Sequence, residues 1–258
     1  MQKSIKNIAF AGSGNVSWHV AKGLMEHGFR IKSIWSREYA NAVSLAGICG
    51  AKASKDISGL REGTDLIIVA VADKAIAEVA GSIANFHGIV VHTAGSVSME
   101  VLKSNCENYG VFYPLQTLSK ATPVDFSKVP FFLESSSNET LLALKQLAGT
   151  LSSKVYEADS RQRMLLHVAA VFAGNYSNLM YIVSNEILNN YNLPAEALHP
   201  LILETARKAI ANNPLEMQTG PARRHDIITI EKHISALASM PDYADLYQLL
   251  ANLIGKKY

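Results

Sequence analysis

Two periodicities divide the chain. Up to about residue 156, short apolar runs alternate with amphipathic stretches, and beyond that point only helical spacing remains. Residues 5–11 end in the run IAFA ahead of a glycine turn, the mark of a buried parallel strand. A helix is predicted from residue 15 to 27, with Gly28 as its stop. Residues 29–35 read as a strand, 38–46 as a helix, and 65–72 (DLIIVAVA) as a fully buried strand. A helix over 75–83, a strand over 88–92 (GIVVH) and shorter strands over 111–114 and 130–133 complete the series. Strands alternating with helices imply βαβ units, right-handed crossovers and an α/β, Rossmann-type, mostly parallel sheet.

The second half predicts helices over 160–190, 194–211, 224–239 and 243–254. Asp159 or Ser160 suits the N-cap of the first, and Pro194 suits a first helical position. The expected domains are 1–156, a nucleotide-binding body, and 157–258, an all-helical body entered by a long helix. A helix over 25 residues long exceeds what one globular core needs, so it should line the boundary between domains and is a candidate for a boundary between subunits. Residues 165–183 carry no formal charge over nearly a membrane-spanning length, yet His167, Asn175, Ser177 and Asn178 interrupt them. That pattern is expected of a buried helix in a soluble protein.

Composition narrows the function classes. The 258 residues are 48% hydrophobic and 18% charged with a net charge of +2, which supplies core material and argues against extensive disorder. No basic run suggests nucleic acid; the densest, Arg223-Arg224-His225, is too short. The N-terminal apolar run is too short for the hydrophobic region of a signal peptide, so no membrane partner is expected. Cys49 and Cys106, far apart and without paired spacing, fit a reducing cytoplasm and leave no Cys-based metal site.

The candidate chemistry starts at Gly12-Ser13-Gly14-Asn15-Val16-Ser17, between a predicted strand and helix. Gly12 would allow a tight turn, Gly14 would let backbone approach a pyrophosphate, and Asn15 and Val16 begin the helix whose free N–H groups face the anion. Ser17 replaces the small third residue of this motif; it is tolerable if its hydroxyl bonds the preceding helical turn. The second strand ends Trp35-Ser36-Arg37, with no acid to hold a ribose 2′-hydroxyl. Ser36 and Arg37 instead suit a 2′-phosphate, which predicts NADP over NAD, the alternative being Glu38 on the ribose. Val71, Ala72 and Asp73, with Thr93, Ala94, Gly95 and Ser96, lie just past predicted strand ends and should line the cofactor. Lys74 reads equally as a ligand contact or as an exposed first-turn residue.

Four separated motifs, VADKAI (71–76), VVHTAGS (90–96), VFYPLQTLS (111–119) and TGPARRHD (219–226), occur with LLHVAAVFAGNYSNL (165–179). Together they resemble a family of NADP-dependent oxidoreductases that pair a Rossmann-like domain with a helical domain of unknown function. More distantly the chain is similar to pyrroline-5-carboxylate reductases, ketopantoate reductases and 3-hydroxyacid dehydrogenases, with a helical half like the 6-phosphogluconate dehydrogenase C-terminal domain. The resemblance implies an NADP oxidoreductase and a homodimer joined through the helical half. Two departures stand out. If Asn175 matches the dehydrogenases' asparagine, their catalytic lysine position holds Val171. Where the family pattern has glycine, this chain has His225, so the backbone there is expected to differ while Arg224 and Asp226 match.

On the long helix His167 and Asn178 are eleven apart, about 20° beyond three turns, so an unbroken α-helix puts them on one face with Gly174, and Asn175 beside it. His167 would be a donor or acid, Asn175 and Asn178 amides that orient a ligand, and Arg224 a bidentate partner for an anionic substrate group. Alternatively His167 is a packed core histidine, and Asp226 merely a helix cap. The expected function is reversible hydride transfer between NADP(H) and a small, carboxylated carbonyl or imine compound at a cleft between the domains. A non-catalytic NADP-binding sensor is the alternative, favoured by Val171.

Overall fold

The structure, a computed structural model, describes residues 5–258. Eight strands form one sheet: β1 Asn7–Ala11, β2 Arg30–Trp35, β3 Lys52–Ser54, β4 Leu66–Val69, β5 Ile89–His92, β6 Asn108–Pro114, β7 Phe131–Ser135 and β8 Val155–Glu157. Their order is β3-β2-β1-β4-β5-β6-β7-β8, parallel except where β7 runs antiparallel to β6. The order reverses between β1 and β4, so the connections leaving these two strands diverge and open a crevice at their carboxyl ends.

Helices α1 Asn15–Glu26, α2 Tyr39–Cys49, α3 Ile76–Ser82 and α4 Asn138–Leu151 cover both faces. The pleat divides β1 between them: Ile8 and Phe10 join the core that holds Leu24, Leu45 and Leu144, whereas Ala9 and Ala11 join the core that holds Ile76 and Val79. The small side chains of Ala9 and Ala11 suit the face that leads to the glycine turn. The buried-strand pattern anticipated β1, β2, β4 and β5 with their helices to within a few residues. It left out β3, α4 and β8, and truncated β6. α1 ends where expected: Gly28 takes φ +85° and its N–H bonds the Met25 carbonyl.

The rest of the chain is helical: α5 Ser160–Ala170, a π-helical segment Val171–Tyr176, α6 Ser177–Asn190, α7 His199–Ala211, α8 Pro214–Met217, α9 Ile227–Ala236 and α10 Pro241–Gly255. Asp159 caps α5, accepting the Gln162 N–H while the Gln162 side chain accepts the Asp159 N–H. The helix predicted over 160–190 therefore exists, but its middle is π-helical. The strands end near the expected boundary at 156/157, while the two compact bodies divide at residues 175/176, so α5 packs with the first body.

Residues 165–183 are not the buried helix that their low charge suggested. No residue between 171 and 190 is buried, and Leu165 and Phe172 are 62% and 64% exposed. Among the described residues no helix is long and apolar enough to cross a membrane. The core of the second body is small, built around Ala222, Ile230 and Ala251, while Ile210, Leu203 and Ile228 stand exposed.

Candidate functional site

The crevice at the carboxyl ends of β1 and β4 is a cleft of about 660 Å³. Gly12, Ser13, Gly14, Asn15, Val16, Ser36, Arg37, Val71, Ala72, Asp73, Thr93 and Ala94, all candidates from the sequence, line it. Gly12 has φ +114°, and a Cβ there would stand 2.2 Å from the Ala70 carbonyl oxygen, so the turn from β1 requires glycine. Its N–H bonds the Trp35 carbonyl at 2.7 Å, tying the turn to β2. Gly14 is the N-cap of α1 with no side-chain cap bond and no acid in the first turn. A Cβ on Gly14 would meet nothing within 4 Å. An uncapped helix start facing open space beside two glycines fits a pyrophosphate, whose oxygens can accept the unpaired N–H groups.

Ser13 and Ser36 are joined at 2.9 Å, so Ser36 already has a partner, and Arg37 is the cation at that end of the cleft. Glu38 lines the cleft too, whereas Lys74 is exposed and does not. The expected stabilisation of Ser17 is absent: the residue is fully buried and its hydroxyl has no hydrogen-bond partner. Position 17 is the third residue of α1, with no full helical turn before it to offer a carbonyl in reach.

Past β5 the motif 93–96 divides its work. Thr93 and Ala94 line the cleft, and Ser96 Oγ donates a short hydrogen bond to Asp73 Oδ2, joining the two strand-end loops. Gly95 is buried against Tyr113 and His167. A Cβ there would lie 2.8 Å from both His167 Nδ1 and Tyr113 Cζ. Tyr113 Oη and His167 Nδ1 are themselves 3.0 Å apart. Burial is the chief cause that raises the Tyr113 pKa, so the phenol stays protonated at neutral pH.

Arg163, one turn before His167 on α5, is completely buried. Its guanidinium bonds the carbonyls of Ala94 and Val97 and pairs with Glu134 of β7, which also accepts from Ser160. The clamp fixes the 94–97 loop from behind and places His167 against it. His92, at the end of β5, is also fully buried; burial first, and then Arg163, push its pKa down to about 4. Its Nδ1 accepts the Ala94 N–H at 3.2 Å, so the ring is neutral with its proton on Nε2.

Arg163, Glu134 and Tyr113 were not singled out in the sequence. The one local signal was the four-residue spacing of Arg163 and His167, which puts both on one face of a helix. The π-helical segment removes the basis for placing Asn178 on that face, because a π turn advances by a smaller angle per residue than the 100° of an α-helix. Asn175 is exposed within the π segment of the first body, and Asn178 is exposed on α6 of the second. Arg224 lies in the second body beside His225, which has φ +52°. The backbone thus keeps the left-handed conformation that glycine favours, with a histidine in it, rather than changing course. Asp226 is the N-cap of α9 and accepts from the N–H and hydroxyl of Thr229, which hold its carboxyl below the usual range.

A family model described as NADP oxidoreductase, coenzyme F420-dependent, matches residues 7–95, and one described as a domain of unknown function, DUF2520, matches 129–254. No curated protein matches the chain. Among solved structures, a putative NADP oxidoreductase from Bacteroides fragilis is 42% identical with a TM-score of 0.92, over 99% of this chain and 100% of that one. A reductive aminase from Aspergillus terreus, in complex with NADPH and ethyl-5-oxohexanoate, is similar in fold at 16% identity and TM-score 0.72, over 98% and 93% of the two chains. A pyrroline-5-carboxylate reductase from Coxiella burnetii shares the fold at 15% identity and TM-score 0.62, over 98% and 97%. The chain therefore belongs to the family of NADP oxidoreductases in which an NADP oxidoreductase domain is joined to a C-terminal DUF2520 domain, with NADP as the family's cofactor.

Proposed function

We propose that the chain is an NADP(H)-dependent reductase of a small, carboxylated carbonyl or imine compound, and that His167 is its proton donor. The observation that carries this reading is the Gly95–Tyr113–His167 junction, one residue beyond the Thr93 and Ala94 wall of the cleft. NADPH, when bound, supplies the hydride. Gly12, Gly14 and the start of α1 would hold its pyrophosphate, and Ser36 and Arg37 its 2′-phosphate. Thr93 and Ala94 would border the nicotinamide.

The neutral Tyr113 phenol would donate to His167 Nδ1, which fixes the imidazole tautomer and leaves the proton on Nε2. As the hydride adds to carbon, His167 would pass its Nε2 proton to the substrate oxygen or nitrogen and take the Tyr113 phenolic proton on Nδ1, the tyrosine being reprotonated from solvent, with Asn175 as the orienting amide. For Asn178 and Arg224, the roles of orienting amide and anion partner rest on the sequence alone. The exposed apolar positions along α6 and α7 suit cover by a second copy, and a homodimer is part of this reading.

A panel of small oxo acids and imines, followed by the loss of NADPH absorbance, tests the proposal. Saturable turnover that His167→Gln abolishes supports it. Tight NADPH binding with no turnover on any member of the panel favours a cofactor sensor instead, the reading that Val171 at the dehydrogenase lysine position encourages.

A further inference from the structure

We propose that residues 115–123 form a strap across the phosphate end of the cleft, and that Lys120 on this strap neutralises the cofactor's pyrophosphate. The proposal rests on the placement of NADP in the cleft described above. The strap leaves β6 at Pro114; the Leu115 N–H bonds the Pro130 carbonyl at 2.9 Å, and the Thr122 N–H bonds the Ser119 carbonyl at 3.0 Å. Two residues of α1 then grip it. His19, 7% exposed, places Nε2 2.8 Å from the Ser119 carbonyl oxygen, so that nitrogen is the donor. Trp18 lies under the Lys120 ammonium, whose nitrogen is 4.9 Å from the ring centroid. Both residues directly follow the glycine loop, so the grip ties the strap to the helix that opens on the cleft.

Charge gives the strap a purpose. The loop 12–17 has no charged side chain, and the described residues lining the cleft include three acids, Glu38, Asp73 and Glu78. The lining cations are Arg37 and Lys120. Arg37 stands beside Ser36 at the end of β2, the position for a 2′-phosphate. Lys120 lines the cleft together with Gly12, Gly14 and Asn15, and its ammonium sits over the ring of Trp18 in the first turn of α1. A helix start alone attracts an anion weakly. A lysine held there by a ring and a pinned loop adds a full charge without a new element of secondary structure.

Fluorescence titration with NADPH and with NADH, at low and moderate salt, separates the possibilities. Lys120→Gln should raise Kd for both nucleotides by a similar factor, about tenfold, and make the salt dependence shallower. Lys120→Arg should restore most of the affinity. Arg37→Gln should weaken NADPH alone. His19→Ala, by freeing the strap, should weaken both nucleotides and add little on top of Lys120→Gln. Unchanged Kd values for Lys120→Gln, or a loss confined to NADPH, overturn the assignment of Lys120 to the pyrophosphate while leaving the cleft as the cofactor site. If the intact chain binds neither nucleotide saturably, the placement of the cofactor falls, and the strap's role with it.

Discussion

Tyr113 Oη lies 3.0 Å from His167 Nδ1, and the contact joins the end of a sheet strand to the helix that leaves the sheet. If His167 is the proton donor, His167→Gln should lower kcat by a factor of about 100 or more and leave the Kd for NADPH within about twofold of its original value. Tyr113→Phe removes the group that fixes the tautomer and resupplies a proton to Nδ1. It should lower kcat by about tenfold, with little change in KM, and shift the pH dependence of kcat. Loss of NADPH binding together with turnover would show that the pair supports the fold instead.

Gly95 is the space in which those two rings meet. Gly95→Ala inserts a methyl group 2.8 Å from each, an overpacking that costs about 1 to 3 kcal/mol if the rings cannot give way. Turnover should drop more than thermal stability does, since the cheapest relief is to turn His167 away. Kinetics and calorimetry on the same variant check this, and unchanged kcat would place the chemistry elsewhere.

In the proposed placement of the cofactor, Arg37 makes the choice between the two nicotinamide cofactors. Its replacement by Gln should raise Kd for NADPH roughly tenfold to a hundredfold, the worth of one charge-assisted hydrogen bond, with NADH binding unaffected. Equal affinities of the unaltered chain for NADPH and NADH would instead give the ribose to Glu38.

His92 should make the first body sensitive to acid. Its folded pKa is about 4 against an ordinary 6.5, because burial and Arg163 oppose the cation. As pH falls from 6.5 towards 4, the unfolded chain takes up a proton that the folded chain refuses. Stability is therefore full above pH 6.5 and falls through that window, by up to about 3 kcal/mol for this group. Urea unfolding at pH 7.5, 6 and 5 should show the loss, and His92→Asn, whose amide oxygen can still accept the Ala94 N–H, should show less of it. Identical acid slopes for the two proteins would mean that another group is responsible.

The lining of the cleft was legible because its parts are local. The turn at Gly12 and Gly14, the strand end at Ser36-Arg37, and the loops after β4 and β5 each lie within a few residues of a strong apolar strand, and a parallel sheet brings strand ends to one edge. The clamp of Arg163 on Ala94, Val97 and Glu134 was not legible. It joins residues up to 69 apart in sequence, and a lone arginine in a helical stretch reads as a solvated one. Ser17 was misjudged because a helix's first residues lack the preceding turn that a back-bonding hydroxyl needs. The shared face of His167 and Asn178 failed as an argument because periodicity counts assume an unbroken α-helix.

Short-range patterning and local backbone requirements were enough to specify the alternation of buried strands and helices, the glycine turn after β1, the helical second half and the family motifs. Tertiary structure alone decided that Tyr113, Gly95 and His167 meet, that Arg163 is buried, and that Lys120 returns to the glycine loop. Those contacts arise from packing between distant segments, and the pattern of apolar and polar residues along a chain specifies which faces are covered without specifying which side chain meets which.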